Sequence, residues 1–153
     1  MFVECNPDEV IVRYLTGLSR KRINHEYKGK AEICVRSSKL RDEIGLVDQD
    51  PDSVHPRYLK NIRLSGDLVS DGILVYVDDD RNNKLVVLKP KLEDWILRAA
   101  HDSGLNLHDY GLPTRPSTLH REINGKLDNF SRLLDDLTHA NSVRLIKLKE
   151  LVS

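Results

Sequence analysis

Three carboxylates stand where two short apolar runs end. Phe2-Val3 leads into Glu4, and Ile44-Gly45-Leu46-Val47 leads into Asp48, with Asp50 two residues on. Carboxylates crowded together repel one another unless a cation joins them. Mg²⁺ suits that place, because it binds a few carboxylates and keeps waters for a substrate's phosphates. In an extended chain Asp48 and Asp50 project to the same side. Where the two runs are neighbouring strands, Glu4, Asp48 and Asp50 meet at one edge of a sheet, the edge at which α/β sheets hold their ligands. The chemistry open to such a group is metal-assisted phosphoryl transfer. A D-x-D pair by itself also occurs in solvated acidic loops.

The charge around these acids is segregated. The chain of 153 residues carries 24 Lys and Arg against 24 Asp and Glu, a formal net charge of zero. Between Arg20 and Arg41, however, Arg20, Lys21, Arg22, Lys28, Lys30, Arg36, Lys39 and Arg41 face only Glu26 and Glu32. The next stretch, to His55, holds Asp42, Glu43, Asp48, Asp50 and Asp52 with no Lys or Arg. A basic segment directly before an acidic cluster suits a polyanion held beside a bound cation. Two solvated faces give the same pattern.

The elements that must position these residues read as follows. Phe2-Val3-Glu4 is a short strand. Asn6 reads as a helix N-cap, Pro7 as the first helical position and Asp8 and Glu9 as acids at the positive end of the dipole. Val10, Ile11, Tyr14, Leu15 and Leu18 continue that helix to about Ser19. Residues 20–29 read as loop. Lys30 to Leu40 reads as a second helix with Ala31, Cys34, Val35 and Leu40 on one face. Ile44 to Asp48 is a buried strand, and the stretch from Pro56 to Leu64 carries no clear pattern. Ile73 to Val77 and Leu85 to Leu88 are β-branched runs around a turn-forming Asp78 to Asn83, hence a hairpin. After Pro90 a helix places Leu92, Trp95, Ile96 and Ala99 inward and ends near Gly104. Residues 105–116 read as loop. Leu119, Ile123, Leu127, Phe130, Leu134 and Leu137 then step at helical spacing, predicting one long amphipathic helix. A last helix spans about Ser142 to Leu151. The order implies an α/β sheet with a helical C-terminal extension.

Val3-Glu4-Cys5-Asn6-Pro7-Asp8 before an amphipathic helix resembles the first motif of the Toprim domain family, a Glu at a strand end followed some residues on by an Asp that opens the helix. Gly45-Leu46-Val47-Asp48-Gln49-Asp50 resembles the second, an apolar strand ending in D-x-D. Leu88-Lys89-Pro90-Lys91-Leu92-Glu93-Asp94-Trp95 is similar to a stretch of small stand-alone bacterial Toprim-like proteins, relatives of the OLD-family nucleases. Cys5 stands where the first motif has Gly, and no glycine-rich segment follows the D-x-D. The resemblance implies a Rossmann-like Toprim α/β fold with a mostly parallel central sheet, one β-hairpin and the helical extension. It implies a domain over 1–104, with 105–153 packed on it. It further implies that Glu4 is a general acid/base or metal contact, and that Asp48 and Asp50 hold Mg²⁺ or Mn²⁺. Glu93, in the first turn of a helix, aims at the same edge or merely complements the dipole.

The expected activity is therefore Mg²⁺-dependent phosphoryl transfer, a nuclease on DNA or RNA, with the basic stretch 20–41 on the phosphate backbone. The alternative is a catalytically silent binding or regulatory module in a bacterial defence or toxin system, its C-terminal helices facing a protein partner. A receiver-like domain also gathers acids at strand ends and would cast Lys89 as its lysine, but it expects an acidic pair where only Glu4 stands. Asp78-Asp79-Asp80 reads as a solvated turn. His55 follows the acidic loop, within reach of a phosphate. His120, one past Leu119, reads as a surface or capping residue, and the six histidines show no zinc spacing. A G-x-x-x-x-G-K-[ST] loop, a G-x-G-x-x-G turn and a G-x-S-x-G elbow are all missing, which removes those nucleotide-binding and hydrolase classes. The longest apolar run, Ile73 to Val77, is too short to span a membrane. Glu4 falls where an export signal would be basic, and Cys5 and Cys34 lack metal or redox spacing. A cytoplasmic setting with reduced thiols is the expectation.

Overall fold

The computed structural model describes residues 1–26 and 29–153. Strand β1 (Phe2–Val3) leads into helix α1 (Asn6–Thr16). The N-cap is Cys5 rather than Asn6, because the Asp8 carboxylate reaches back to the backbone N–H groups of Glu4 and Cys5, both at 3.2 Å. Gly17, at φ 68°, turns the chain out of the helix, three residues before the expected end. Helix α2 (Lys30–Ser37), strand β2 (Ile44–Asp48) and helix α3 (Arg57–Asn61) follow. Then come β3 (Arg63–Leu68), β4 (Ile73–Asp78), β5 (Asn83–Leu88) and α4 (Leu92–Asp102). The C-terminal part contains α5 (Pro116–Glu122), α6 (Leu127–His139) and α7 (Val143–Val152).

The five strands form one sheet in the order β1-β2-β5-β4-β3. β1 runs parallel to β2, and β2 parallel to β5. β4 and β5 form the expected hairpin, with Asp78 opposite Asn83. β3 pairs antiparallel with β4, with an irregularity between Leu64 and Gly66. The sheet is therefore mixed, not mostly parallel. The strand that changes the count is β3, whose exposed Arg63, Leu64 and Ser65 lack the apolar pattern of an inner strand. Edge strands need no such pattern, since one side faces water.

Alternation along the strands splits the core. Val3, Leu46, Val86 and Leu88 face one side, with Ile11, Trp95, Ile96, Leu119, Phe130 and Leu148. Phe2, Val47, Leu85 and Val87 face the other, with Ile33, Cys34 and Leu59. The buried face of α2 is thus Lys30, Ile33, Cys34 and Ser37, while Val35 and Leu40 are exposed, contrary to the expected face. The long helix expected from Ser117 is broken. Ile123 to Gly125 forms a tight 3-10 turn between α5 and α6, around the helix-poor Asn124-Gly125 pair. Ile123 is still buried, so the apolar stepping survives the break. Both cysteines are free. Among the described residues, no helix is long and apolar enough to cross a membrane.

Candidate functional site

β1, β2 and β5 are parallel, so their carboxyl ends share one edge of the sheet. Glu4 follows β1, Asp48 ends β2, and Glu93 lies in the first turn of the helix that follows β5. Register brings the first two together: Val3 lies opposite Leu46, and the backbone N–H of Asp48 donates to Glu4 Oε1 at 2.8 Å. Asp48 in turn accepts the N–H of Leu92 on Oδ1 at 2.8 Å, tying the end of β2 to the open N-terminus of α4. Asp8 is the fourth acid of the group. It is buried, caps the start of α1 and also accepts from the Cys5 thiol at 3.2 Å.

Burial and neighbouring charges both act on these acids. Burial, then the charges of Asp8, Glu4 and Glu93, push the Asp48 carboxyl up to about 9. Asp8 is raised by its burial and by Glu4. Glu4 is raised by burial, against the pull of the Asp48 N–H and of the Lys30 ammonium and N–H. The Cys5 thiol is pushed up by burial and by the Asp8 charge, which makes it a poor nucleophile. Asp48, at about 9, and Asp8, at about 7, hold protons near neutrality, as acid/base groups do.

Asp50 sits differently. At φ 45° its backbone is left-handed, so the extended geometry that would align it with Asp48 stops at the end of β2. Its carboxylate pairs with Lys91 at 2.9 Å, which holds its pKa below the usual range. Its charge still raises Glu4. Lys30, expected on the phosphate backbone, is instead buried. Its ammonium donates to Gln49 O and, at 3.0 Å, to Ser53 Oγ, and acts electrostatically on Glu4 and Asp50. Lys30 and Lys91 therefore put two cations beside the acids.

Glu93 is buried and meets His120 of α5, with Nδ1 at 2.8 Å from Oε1. The sequence reading placed Lys30 on the phosphate backbone rather than beside the acids, and read His120 as a surface or capping residue. Asp8 was read as a dipole acid and as the helix-opening Asp of the motif resemblance, without a role among the site residues.

The rest of the basic stretch lies elsewhere on the surface. Arg20, Lys21 and Arg22 form an exposed 3-10 turn, with Arg20 at 3.4 Å from the buried Glu9. Arg36, Lys39 and Arg41 are exposed, and Arg41 donates to Asp80 O at 2.9 Å. Lys28 lies outside the described residues. Of the acidic turn, Asp78 is buried and accepts from Tyr58 at 2.8 Å, and Asp79 makes a two-point pair with Arg63. His55 is exposed, its ring centroid 6.1 Å from that of Tyr76.

Hard carboxylate oxygens are the donor type that Mg²⁺ prefers. Burial first, and then repulsion from neighbouring acids, raises Asp48 and Asp8, and a cation relieves the second of these. The donor chemistry fits the ion, although among the described residues no three His, Cys, Asp or Glu side chains already stand in an arrangement that could hold one. No protein-family model, no curated protein and no solved structure matches the chain.

Proposed function

We propose that the chain is a Mg²⁺- or Mn²⁺-dependent phosphoryl-transfer enzyme of Toprim-like kind, a nuclease on DNA or RNA. The observation that supports it is the gathering of Glu4, Asp8, Asp48 and Glu93 at the carboxyl ends of parallel strands, where the charges of Glu4, Asp8 and Glu93 bear on buried Asp48. Glu4 and Asp48 are the primary metal residues, with Asp50 and Glu93 flanking them. A bound ion would neutralise charge on the scissile phosphate and activate a water. Glu4, its pKa above the ordinary carboxylate range, serves as the acid/base group. Lys30 offsets negative charge at Glu4, and the exposed Arg20, Lys21, Arg22, Arg36, Lys39 and Arg41 offer phosphate-backbone contacts.

The test joins calorimetry with cleavage. The wild-type protein is expected to bind Mn²⁺ and to nick plasmid or single-stranded DNA or RNA. Asp48→Asn keeps an oxygen for the Leu92 N–H and loses the charge, so it is expected to lose both metal binding and cleavage. Equal cutting by both proteins would sink the proposal.

A second reading, the catalytically silent module, draws on the hydrogen bonds that Glu4, Asp8, Asp48 and Glu93 already accept. Acids satisfied in this way can be structural, with the C-terminal helices facing a protein partner. No heat on titration with millimolar Mn²⁺ or Mg²⁺ selects this reading.

A further inference from the structure

We infer that the chain binds a free α-amino acid in a cavity at the start of α7, with the ligand's carboxylate on the helix N-terminus and Ser142 and its ammonium on Asp71. The site shares no residue with the acids at the sheet edge and does not rest on the phosphoryl-transfer reading. A cavity of about 300 Å³ opens where three elements meet: the 3-10 turn Val69–Asp71 between β3 and β4, the end of α4 at Asp102, and the first residues of α7. That volume lies at the lower end of small-molecule sites. The N–H groups of Val143 and Arg144 find no acceptor among the described residues. Open N–H groups are common to helix starts and do not by themselves make a site. Ser142 is the further observation. It is the N-cap, where a serine hydroxyl ordinarily accepts an N–H of the first turn. Here the hydroxyl caps nothing and makes no hydrogen bond among the described residues, although Ser142 is only 5% exposed and lines the cavity. A buried hydroxyl without a partner is costly, so a ligand that supplies one is favoured.

The charges of the lining decide what kind of ligand this is. Arg144 donates through Nε to Asp102 at 3.0 Å and through Nη2 to Ser70 O at 2.6 Å, so its charge and that of Asp102 are matched within the wall. Asp71 is not matched. Its backbone carbonyl accepts from Trp95, but its carboxylate makes no ion pair or hydrogen bond among the described residues. What remains is a set of free donors at the positive end of a helix and one free carboxylate. A plain anion satisfies the donors and is repelled by Asp71. A plain amine does the reverse. A zwitterion answers both through charge-assisted hydrogen bonds, and an α-amino acid carries its carboxylate and ammonium on a single carbon, on the scale of so small a cavity. Two aspartates against one arginine also turn away polyanions, so nucleic acid is not the occupant.

The test is calorimetric titration of the whole chain with each of the standard L-amino acids at millimolar concentration. At least one is expected to bind, and to move the amide resonances of Val143 and Arg144. Two analogues of the best binder then dissect it: its amide, which lacks the carboxylate, and its deamino acid, which lacks the ammonium. Each is expected to bind about tenfold more weakly, the size of one charge-assisted hydrogen bond. Ser142→Ala and Asp71→Asn are each expected to weaken the amino acid by about the same factor. Asp71 is half-buried in a turn and Asn keeps its shape, so Asp71→Asn carries the test should Ser142→Ala fail to fold. Absence of binding by every amino acid would overturn the inference. Equal binding of the deamino acid would overturn it too, since that leaves only an anion at a helix end. Unchanged affinity in Asp71→Asn would place the ligand elsewhere, with the same result. None of these outcomes bears on metal binding or cleavage at the sheet edge.

Discussion

At the scale of single residues, Asp48 joins the structural and chemical roles of the site. Its carboxyl takes the Leu92 N–H and is pushed up to about 9 by burial and by Asp8, Glu4 and Glu93. A carboxyl whose folded pKa lies above its unfolded value holds its proton more tightly in the folded chain. Its contribution to stability is therefore complete below 3.8 and is lost as pH rises toward about 9. Glu4 and Asp8 shift in the same direction. Asp50, Asp78, Asp79 and Asp102, all lowered, have finished titrating by about pH 5.5, so they leave the slope above it unchanged. His55, lowered, acts in the opposite sense below about pH 7 but equally in any variant elsewhere. Metal-free protein is thus expected to unfold at lower urea at pH 8 than at pH 5.5. Asp48→Asn should flatten that slope, and Mg²⁺ should raise the midpoint at pH 8 in the wild type only. Equal slopes in both proteins would mean that Asp48 is ionised without difficulty. The pairing of Glu4 with Asp48 was legible in the sequence, because both end apolar runs that can be strands. Asp50 was not, since its left-handed backbone before Pro51 ends the strand alternation. His120 was hidden for another reason: its partner Glu93 is 27 residues away on a different helix.

At the scale of elements, β2 connects the apolar layers to the acids. Gly45 lies opposite Phe2 and Leu85 on its two neighbouring strands. A Cβ there would stand 2.4 Å from Leu85 Cδ2 and 3.4 Å from Ile33 Cγ2. Leu85 is 1% exposed, so its side chain has no open space into which to turn. Gly45→Ala is expected to cost about 1–3 kcal/mol, the usual range for overpacking a core, read from urea unfolding. Wild-type stability would show that α2 moves off the sheet more freely than its buried Ile33 and Cys34 indicate. The elements that the sequence announced share one property: β2, β4, β5 and α4 are buried runs whose own residues carry the period. β3 was silent because its pairing is dictated by the free edge of β4. The face of α2 was misread because Ala31 and Val35 fit a helical stripe as well as Ile33 and Cys34 do, and only the sheet decides between them. The break between α5 and α6 was concealed because a 3-10 turn at 123–125 keeps Ile123 buried and the stepping nearly in phase.

At the scale of the whole molecule, the C-terminal helices complete the core on which the site stands. Leu119, Ile123, Phe130, Leu133, Leu134, Leu137, Leu145 and Leu148 are each 2% exposed or less and share one apolar cluster with Val3, Ile11, Leu46 and Trp95. Polar ties cross the same boundary: Tyr14 meets Thr138 at 3.1 Å, and Asn6 meets Asn124 at 3.3 Å. Burying a large apolar side chain contributes about 1.5–3 kcal/mol. Eight of them together exceed or match the whole stability of a domain, about 5–15 kcal/mol. A chain cut after Gly104 keeps every strand and Glu4, Asp8, Asp48 and Glu93, but it uncovers the outer face of α1 and one side of the sheet. Such a fragment is expected to keep helical and strand signals in the far-ultraviolet while losing the near-ultraviolet signal of Trp95, and to bind a dye for exposed apolar surface. A fragment 1–104 with a dispersed amide spectrum and a cooperative melt would show that the helices are an appendage. In that case His120 would reach the acids by docking rather than by sharing their core.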